Sequence, residues 1–180
     1  VEMASTGEVG CIGQNLHEAL LHGLLATGFR LPKQGVLLSL GPWEDKFWFT
    51  NEARVLADEL GLALYATAGT ARMLRDVGIP CTEVGKQAGE PNSAPALIDS
   101  GAVDLVINVP RSYDRLGRPD GYHIRRRAID AGIGLVTDRQ LARAVVDALR
   151  WKNGRALGVV ACNDQVLVRQ EPGGVPLFAK

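Results

Sequence analysis

Cysteine is scarce: Cys11, Cys81 and Cys162 are the three in 180 residues. They lie too far apart for a metal-ligand spacing, and their odd number does not make a disulfide framework. They predict reduced thiols in a reducing compartment, the cytoplasm, each behaving as a small apolar residue. Net charge is also missing, since 20 Lys and Arg balance 20 Asp and Glu. The chain as a whole therefore has no electrostatic pull toward nucleic acid or an anionic membrane surface, and any anion site must be local. No apolar run reaches the roughly 20 residues that would span a bilayer. Residues 1–9 carry neither a basic n-region nor the apolar core of a signal peptide. They do not begin with Met, which predicts a piece of a longer polypeptide. His17 and His22 are five apart on a predicted helix, off the three- or four-residue spacing that puts two ligands on one face, so no metal site is expected there.

What is present alternates between two patterns. Leu16, Ala19, Leu20, Leu24 and Leu25 recur at helical spacing over 14–26, with Gly28 and Pro32 as stops. Residues 35–40 form a short apolar run, read as a buried strand. A loop over 41–49 follows, with Lys46 near its middle, and then a helix over about 50–60. A strand over 62–66 leads to a helix from Thr70 to Gly78. A strand over 81–84 precedes a Gly/Pro-rich loop reaching Ser93, a short helix over 94–100 and a strong strand over 102–109. The polar segment 111–121 reads as a loop long enough to be functional. Asp120 is the expected cap of a basic helix over 122–131, and Asp138 that of a helix over 139–150 after a strand at 134–137. The tail reads as a hairpin turning at Asn163-Asp164. Strands apolar on both faces, alternating with helices, predict an α/β fold with a mostly parallel sheet covered on both sides.

The chemistry concentrates at 62–71, Leu-Ala-Leu-Tyr-Ala-Thr-Ala-Gly-Thr-Ala. An apolar run ends at Thr67, a tight turn is expected at Gly69, and a helix begins at Thr70. The first N–H groups of a helix lack partners and carry partial positive charge, so a phosphate or carboxylate is the natural guest. The plain alternative is that Thr70 caps its helix and Gly69 turns the chain. In parallel sheets ligands bind at the carboxyl ends of the strands. The segments there hold Lys46, Thr67, Thr70, Lys86, Asn108 and several arginines. Cations, hydroxyls and an amide fit an anion pocket better than a hydrolytic centre.

Several of these segments resemble one family. Residues 1–9 look like the end of the second ATP-grasp domain of carbamoyl-phosphate synthase large chains, and Gly28-Phe-Arg-Leu-Pro32 like the linker after it. Ala66-Thr-Ala-Gly-Thr-Ala71, Asp104-Leu-Val-Ile-Asn108 and Ile124-Arg-Arg126 resemble the C-terminal allosteric domain of that enzyme, which is similar in fold to methylglyoxal synthase. The resemblance implies a flavodoxin-like three-layer domain over 34–150. It is preceded by the end of the ATP-grasp domain and a linker helix over 1–33, and followed by the hairpin extension over 151–180.

The resemblance further implies a regulatory module of an enzyme that makes carbamoyl phosphate from bicarbonate, glutamine or ammonia, and ATP, for pyrimidine and arginine biosynthesis. The fragment would hold no cofactor and form no carbamoyl phosphate itself. ATP, Mg or Mn, and K would belong to the parent. Partners would be the rest of the large chain, a small glutaminase subunit and an anionic effector. That effector would be a nucleotide monophosphate such as UMP or IMP, or an acetylated amino acid in urea-cycle members.

By the same likeness Lys46, Thr67, Gly69, Thr70, Lys86 and Asn108 would form the effector site, with Arg125 and Arg126 as a possible relay. Pro110 stands where the nucleotide-regulated form tends to carry a hydroxyl. Two rival readings remain. Methylglyoxal synthase itself would need a carboxylate base where this chain has Glu90 followed by Pro91, with Asp120 standing in for a second carboxylate. A structural or oligomerisation domain would bind nothing small.

Overall fold

Five-residue Gly35–Ser39 (β1) is buried at every position, as is Leu105–Asn108 (β4). Both are continuously apolar until their last residue, the signature of strands covered on both faces. They lie side by side at the centre of a parallel sheet, Val36 opposite Leu105 and Ser39 opposite Asn108. The computed structural model describes residues 9–41, 43–86, 92–110 and 121–158. Ala63–Thr67 (β2) pairs with β1 on its other side, Thr82–Val84 (β3) pairs with β2, and Gly134–Val136 (β5) pairs with β4. The sheet order is β3-β2-β1-β4-β5, and every pairing is parallel. The two edges are the three-residue strands, short enough to offer little to a foreign strand.

Helices Leu16–Ala26 (α1), Trp43–Trp48 (α2), Thr50–Arg54 (α3), Ala68–Asp76 (α4), Ala94–Ser100 (α5), Tyr122–Asp130 (α6) and Arg139–Lys152 (α7) complete the described chain. A π-helical turn, Val55–Glu59, continues α3. Side chains alternate across the sheet. Val36, Leu38, Leu105 and Ile107 meet α1, α3, α4 and α7 on one face. Leu37 and Val106 meet α5 and α6 on the other. This is the three-layer α/β fold expected. Leu21 of α1 is fully buried in the first cluster, and α1 packs against α7.

Helix starts follow local chemistry. The Asn15 side chain accepts from Glu18 N at 3.1 Å, that of Ser93 from Ala96 N at 3.3 Å, and that of Asp138 from Leu141 N at 2.8 Å. Asp138 thus caps α7 as the sequence predicted. Asp138→Ala is expected to lower stability by about 1 kcal/mol, read as a lower urea midpoint at unchanged slope.

Three expectations are corrected. Residues 43–48 are helix α2, not loop: its first turn carries Glu44 and Asp45, which suit a helix N-terminus. There is no tight turn at Gly69, because β2 runs directly into α4 at Ala68 and Gly69 has helical backbone. The N-cap of α6 is Gly121 in left-handed conformation, not Asp120. Asp120 itself, Glu90 with the rest of 87–91, the loop over 111–120 and the hairpin at Asn163-Asp164 lie outside the described residues. So does Cys162; Cys11 and Cys81 are unpaired thiols, and burial pushes the Cys81 thiol's pKa up. Among the described residues no His, Cys, Asp and Glu group could hold a metal, and no helix is long and apolar enough to cross a membrane.

Candidate functional site

The sheet order reverses between β1 and β4. At such a point the connections leave in opposite directions and open a crevice beyond the strand ends. The last residues of both strands are polar and buried, Ser39 at 4% exposure and Asn108 at 1%. Thr67, at the end of β2, is 3% exposed, and its Oγ1 donates a long bond of 3.4 Å to the Ser39 hydroxyl. Polar groups in these places are costly to bury unless bonded. They are the end of the apolar sheet and the floor of the crevice.

Thr67 occupies the N-cap position of α4 without capping it, since its side chain makes no bond to the first turn. In α1, α5 and α7 a side chain accepts from that turn. The start of α4 is therefore left with donors that no cap satisfies, at the positive end of the helix dipole. Lys46 brings its ammonium over the same place. A Cβ built on Gly69 would meet Lys46 Cε and Nζ, each at 3.7 Å, so the lysine lies directly across the first turn. Its Nζ donates to Gly41 O at 2.7 Å, which anchors it to the end of β1. Gly69 does not turn the chain: it lies in the first turn of α4, in van der Waals reach of the lysine.

Thr70 is fully buried and works differently from Thr67. Its Oγ1 accepts from Leu40 N at 3.1 Å and reaches Leu40 O at 3.5 Å, pinning α4 to the chain leaving β1. Asn108 is held from two sides. Its Nδ2 donates to Ser39 O at 3.0 Å, and its Oδ1 accepts from Arg125. Arg125 reaches it from the first turn of α6, whose chain enters past Gly121.

The structure thus gathers Lys46, Thr67, Gly69, Thr70, Asn108 and Arg125 around one crevice. Lys86 is exposed just beyond the end of β3, the strand beside β2. Arg126 points elsewhere: it pairs with Asp130 at 3.0 Å on the solvent face of α6, which raises its already high pKa. Ser39 was missed in the sequence. Its signal was a lone hydroxyl residue in the apolar run Val-Leu-Leu-Ser-Leu. A neutral chain has here set two cations and an uncapped helix at one strand edge.

Together these features define a doubly wound α/β domain with a polar, cation-bearing crevice at its switch point. The chain belongs to the MGS-like domain family, whose model matches residues 52–137. It is 39% identical over 156 residues to "Carbamoyl-phosphate synthase [ammonia], mitochondrial" of Aquarana catesbeiana, covering 83% of this chain and 10% of that protein. It is 38% identical over 162 residues to "Multifunctional protein pyr1-3" of Dictyostelium discoideum, covering 86% of this chain and 7% of that protein. It is 37% identical over 188 aligned positions to "Multifunctional protein ura1" of Schizosaccharomyces pombe, covering 99% of this chain and 8% of that protein. The chain therefore spans a tenth or less of the curated relatives it matches here.

Proposed function

We propose that the crevice binds the phosphate or carboxylate of a small anionic effector, and that its occupancy regulates carbamoyl phosphate synthesis carried out elsewhere in a longer polypeptide. The observation that carries this is the uncapped start of α4 beneath the Lys46 ammonium. Unsatisfied N–H groups, a helix dipole and a cation converge there, and a bound oxyanion would satisfy all three. Thr67 is positioned to exchange its long bond to Ser39 for a shorter one to the ligand.

This reading keeps the boundaries near 33 and 150, a nucleotide monophosphate such as UMP or IMP as the preferred effector, and a cytoplasmic setting. It assigns ATP, Mg or Mn, K and the glutaminase subunit to the parent enzyme. Arg125, bonded to Asn108 on the crevice floor, becomes the better candidate to carry the signal than Arg126 on the solvent face.

Thermal unfolding with inorganic phosphate, UMP, IMP, ornithine and acetylglutamate tests the proposal. A true effector at a hundredfold excess over its dissociation constant should stabilise the domain by about 2.7 kcal/mol. No shift with any of them overturns effector binding. Turnover of dihydroxyacetone phosphate would replace regulation by synthase chemistry.

A further inference from the structure

Helix α2 carries Lys46 to the crevice, yet little inside the helix holds it in place. It is six residues long, well short of the roughly 12 that an isolated helix needs to persist in water. None of its described side chains is buried, and Phe47 and Trp48 are 64% and 55% exposed. Phe49, the next residue, is buried and fixes the C-terminal end alone.

A lateral hold comes from α7. Arg139 Nη1 donates to Asp45 Oδ1 at 2.8 Å. The guanidinium carbon of the same arginine lies 5.2 Å from the centroid of the Trp48 ring. Asp45 and Trp48 are three positions apart and share one side of α2, whereas Lys46 leaves about 100° round from Asp45. One arginine therefore grips the helix both before and after Lys46. Arg143, also 5.2 Å from the ring, steadies the indole further and is itself paired with buried Glu52 at 2.9 Å. Arg139 is the first residue of α7, where a cation opposes the helix dipole. The stability of α7 gives that position no reason to be basic; the two contacts on α2 do.

We infer that Arg139 is a positioning residue of the anion crevice. It touches no ligand itself and acts through Asp45, Trp48 and the placement of α2, which sets how firmly the Lys46 ammonium sits across the first turn of α4. The inference rests on the crevice being an anion site. An ammonium already in place binds an oxyanion more tightly than one that must first be ordered. The coupling is reciprocal: an anion that holds Lys46 against α4 also favours the contacts between α2 and α7. Helix α7 in turn packs against α1, so the grip joins the crevice to the opposite end of the described chain.

Calorimetric titration of the protein with inorganic phosphate tests this. Arg139→Gln removes both contacts and should weaken binding about five-fold, and Asp45→Ala removes the ion pair alone and should weaken it about three-fold. The second sign is decisive. Asp45 is a carboxylate next to Lys46, so on charge alone its loss would strengthen phosphate binding. Loss of the grip predicts the opposite. Asp45→Asn, which keeps the side chain's size, takes its place should Asp45→Ala fail to melt cooperatively. Arg150→Gln, near the other end of α7 in a pair with Glu59, should leave the affinity unchanged. An Asp45 variant that binds phosphate as tightly as the unsubstituted protein, or more tightly, overturns the inference. So does an Arg150→Gln loss equal to that of Arg139→Gln. Both results leave the crevice reading intact. An unsubstituted protein that binds no phosphate overturns that reading, and the inference with it.

Discussion

Gly121→Ala is expected to cost about 2–5 kcal/mol and to loosen the crevice at the same time. Gly121 has φ 76°, the left-handed region that costs a side-chain-bearing residue about 1–2 kcal/mol. The added methyl also has nowhere to go. Its carbon would stand 2.7 Å from both Nδ2 and Oδ1 of Asn108. Forcing atoms into a packed site adds about 1–3 kcal/mol. Asn108 cannot yield cheaply, because its amide ties Ser39 O to Arg125 across the switch point. Gly132→Ala is the control. That glycine has φ 64° but open space around its Cβ position, so only the conformational cost applies. Urea unfolding of both variants should show Gly121→Ala losing clearly more, and phosphate affinity should fall only in that variant. Equal losses would mean that Asn108 moves freely and does not set the crevice.

The fold was legible because the sheet obeys strong local rules. The apolar runs at 35–40 and 102–109 read as strands covered on both faces, and 35–39 and 105–108 are strand; Gly and Pro punctuate nearly every helix end. What was not legible was the join between elements. The Thr67-Ala-Gly-Thr70 sequence looks like a turn because glycine marks turns. The structure uses Gly69 inside a helix, beside the end of the Lys46 side chain. Residues 43–48 looked like a loop because Trp, Phe and Pro42 obscure any helical period over so short a stretch. At α6 an aspartate beside a glycine suggested a side-chain cap. The chain instead needed the left-handed backbone that Gly121 supplies.

The site was readable one residue at a time and unreadable as a network. Thr67, Thr70, Lys46 and Asn108 stood out as polar residues at strand ends. Nothing in the sequence says that Arg125, seventeen positions after Asn108, returns to its side chain, or that Ser39 shares a floor with Thr67. Those contacts exist because parallel strands put distant residues in register, Ser39 opposite Asn108. Register is a property of the assembled sheet. The same reasoning separates Arg125 from Arg126, adjacent in sequence but directed to opposite surroundings by the helical rotation of about 100° per residue.

Thr67→Ala and Thr70→Ala are expected to part company, although the sequence presents the two threonines as a matched pair. Thr70 is fully buried and supplies the acceptor for Leu40 N at 3.1 Å. Removing it strands a buried N–H, at a cost of about 1–3 kcal/mol in folding. Thr70→Ser keeps the oxygen and should recover most of that loss. Thr67 gives up little in the empty domain, because its bond to Ser39 is long at 3.4 Å. Its hydroxyl is expected to count instead if an oxyanion binds at the uncapped turn of α4, as proposed. Loss of a hydrogen bond to a charged group should weaken phosphate binding by about 2 kcal/mol, roughly thirty-fold, with the unfolding midpoint nearly unchanged. Calorimetric titration and urea unfolding of the two variants read both quantities. A Thr67→Ala protein that binds phosphate as well as its parent would move the ligand away from α4. A Thr70→Ala protein as stable as its parent would mean that Leu40 N finds another acceptor and that α4 is not pinned to β1 through this hydroxyl. The two results are independent, because Thr67 bonds only weakly to the Ser39 hydroxyl while Thr70 supplies the acceptor for Leu40 N.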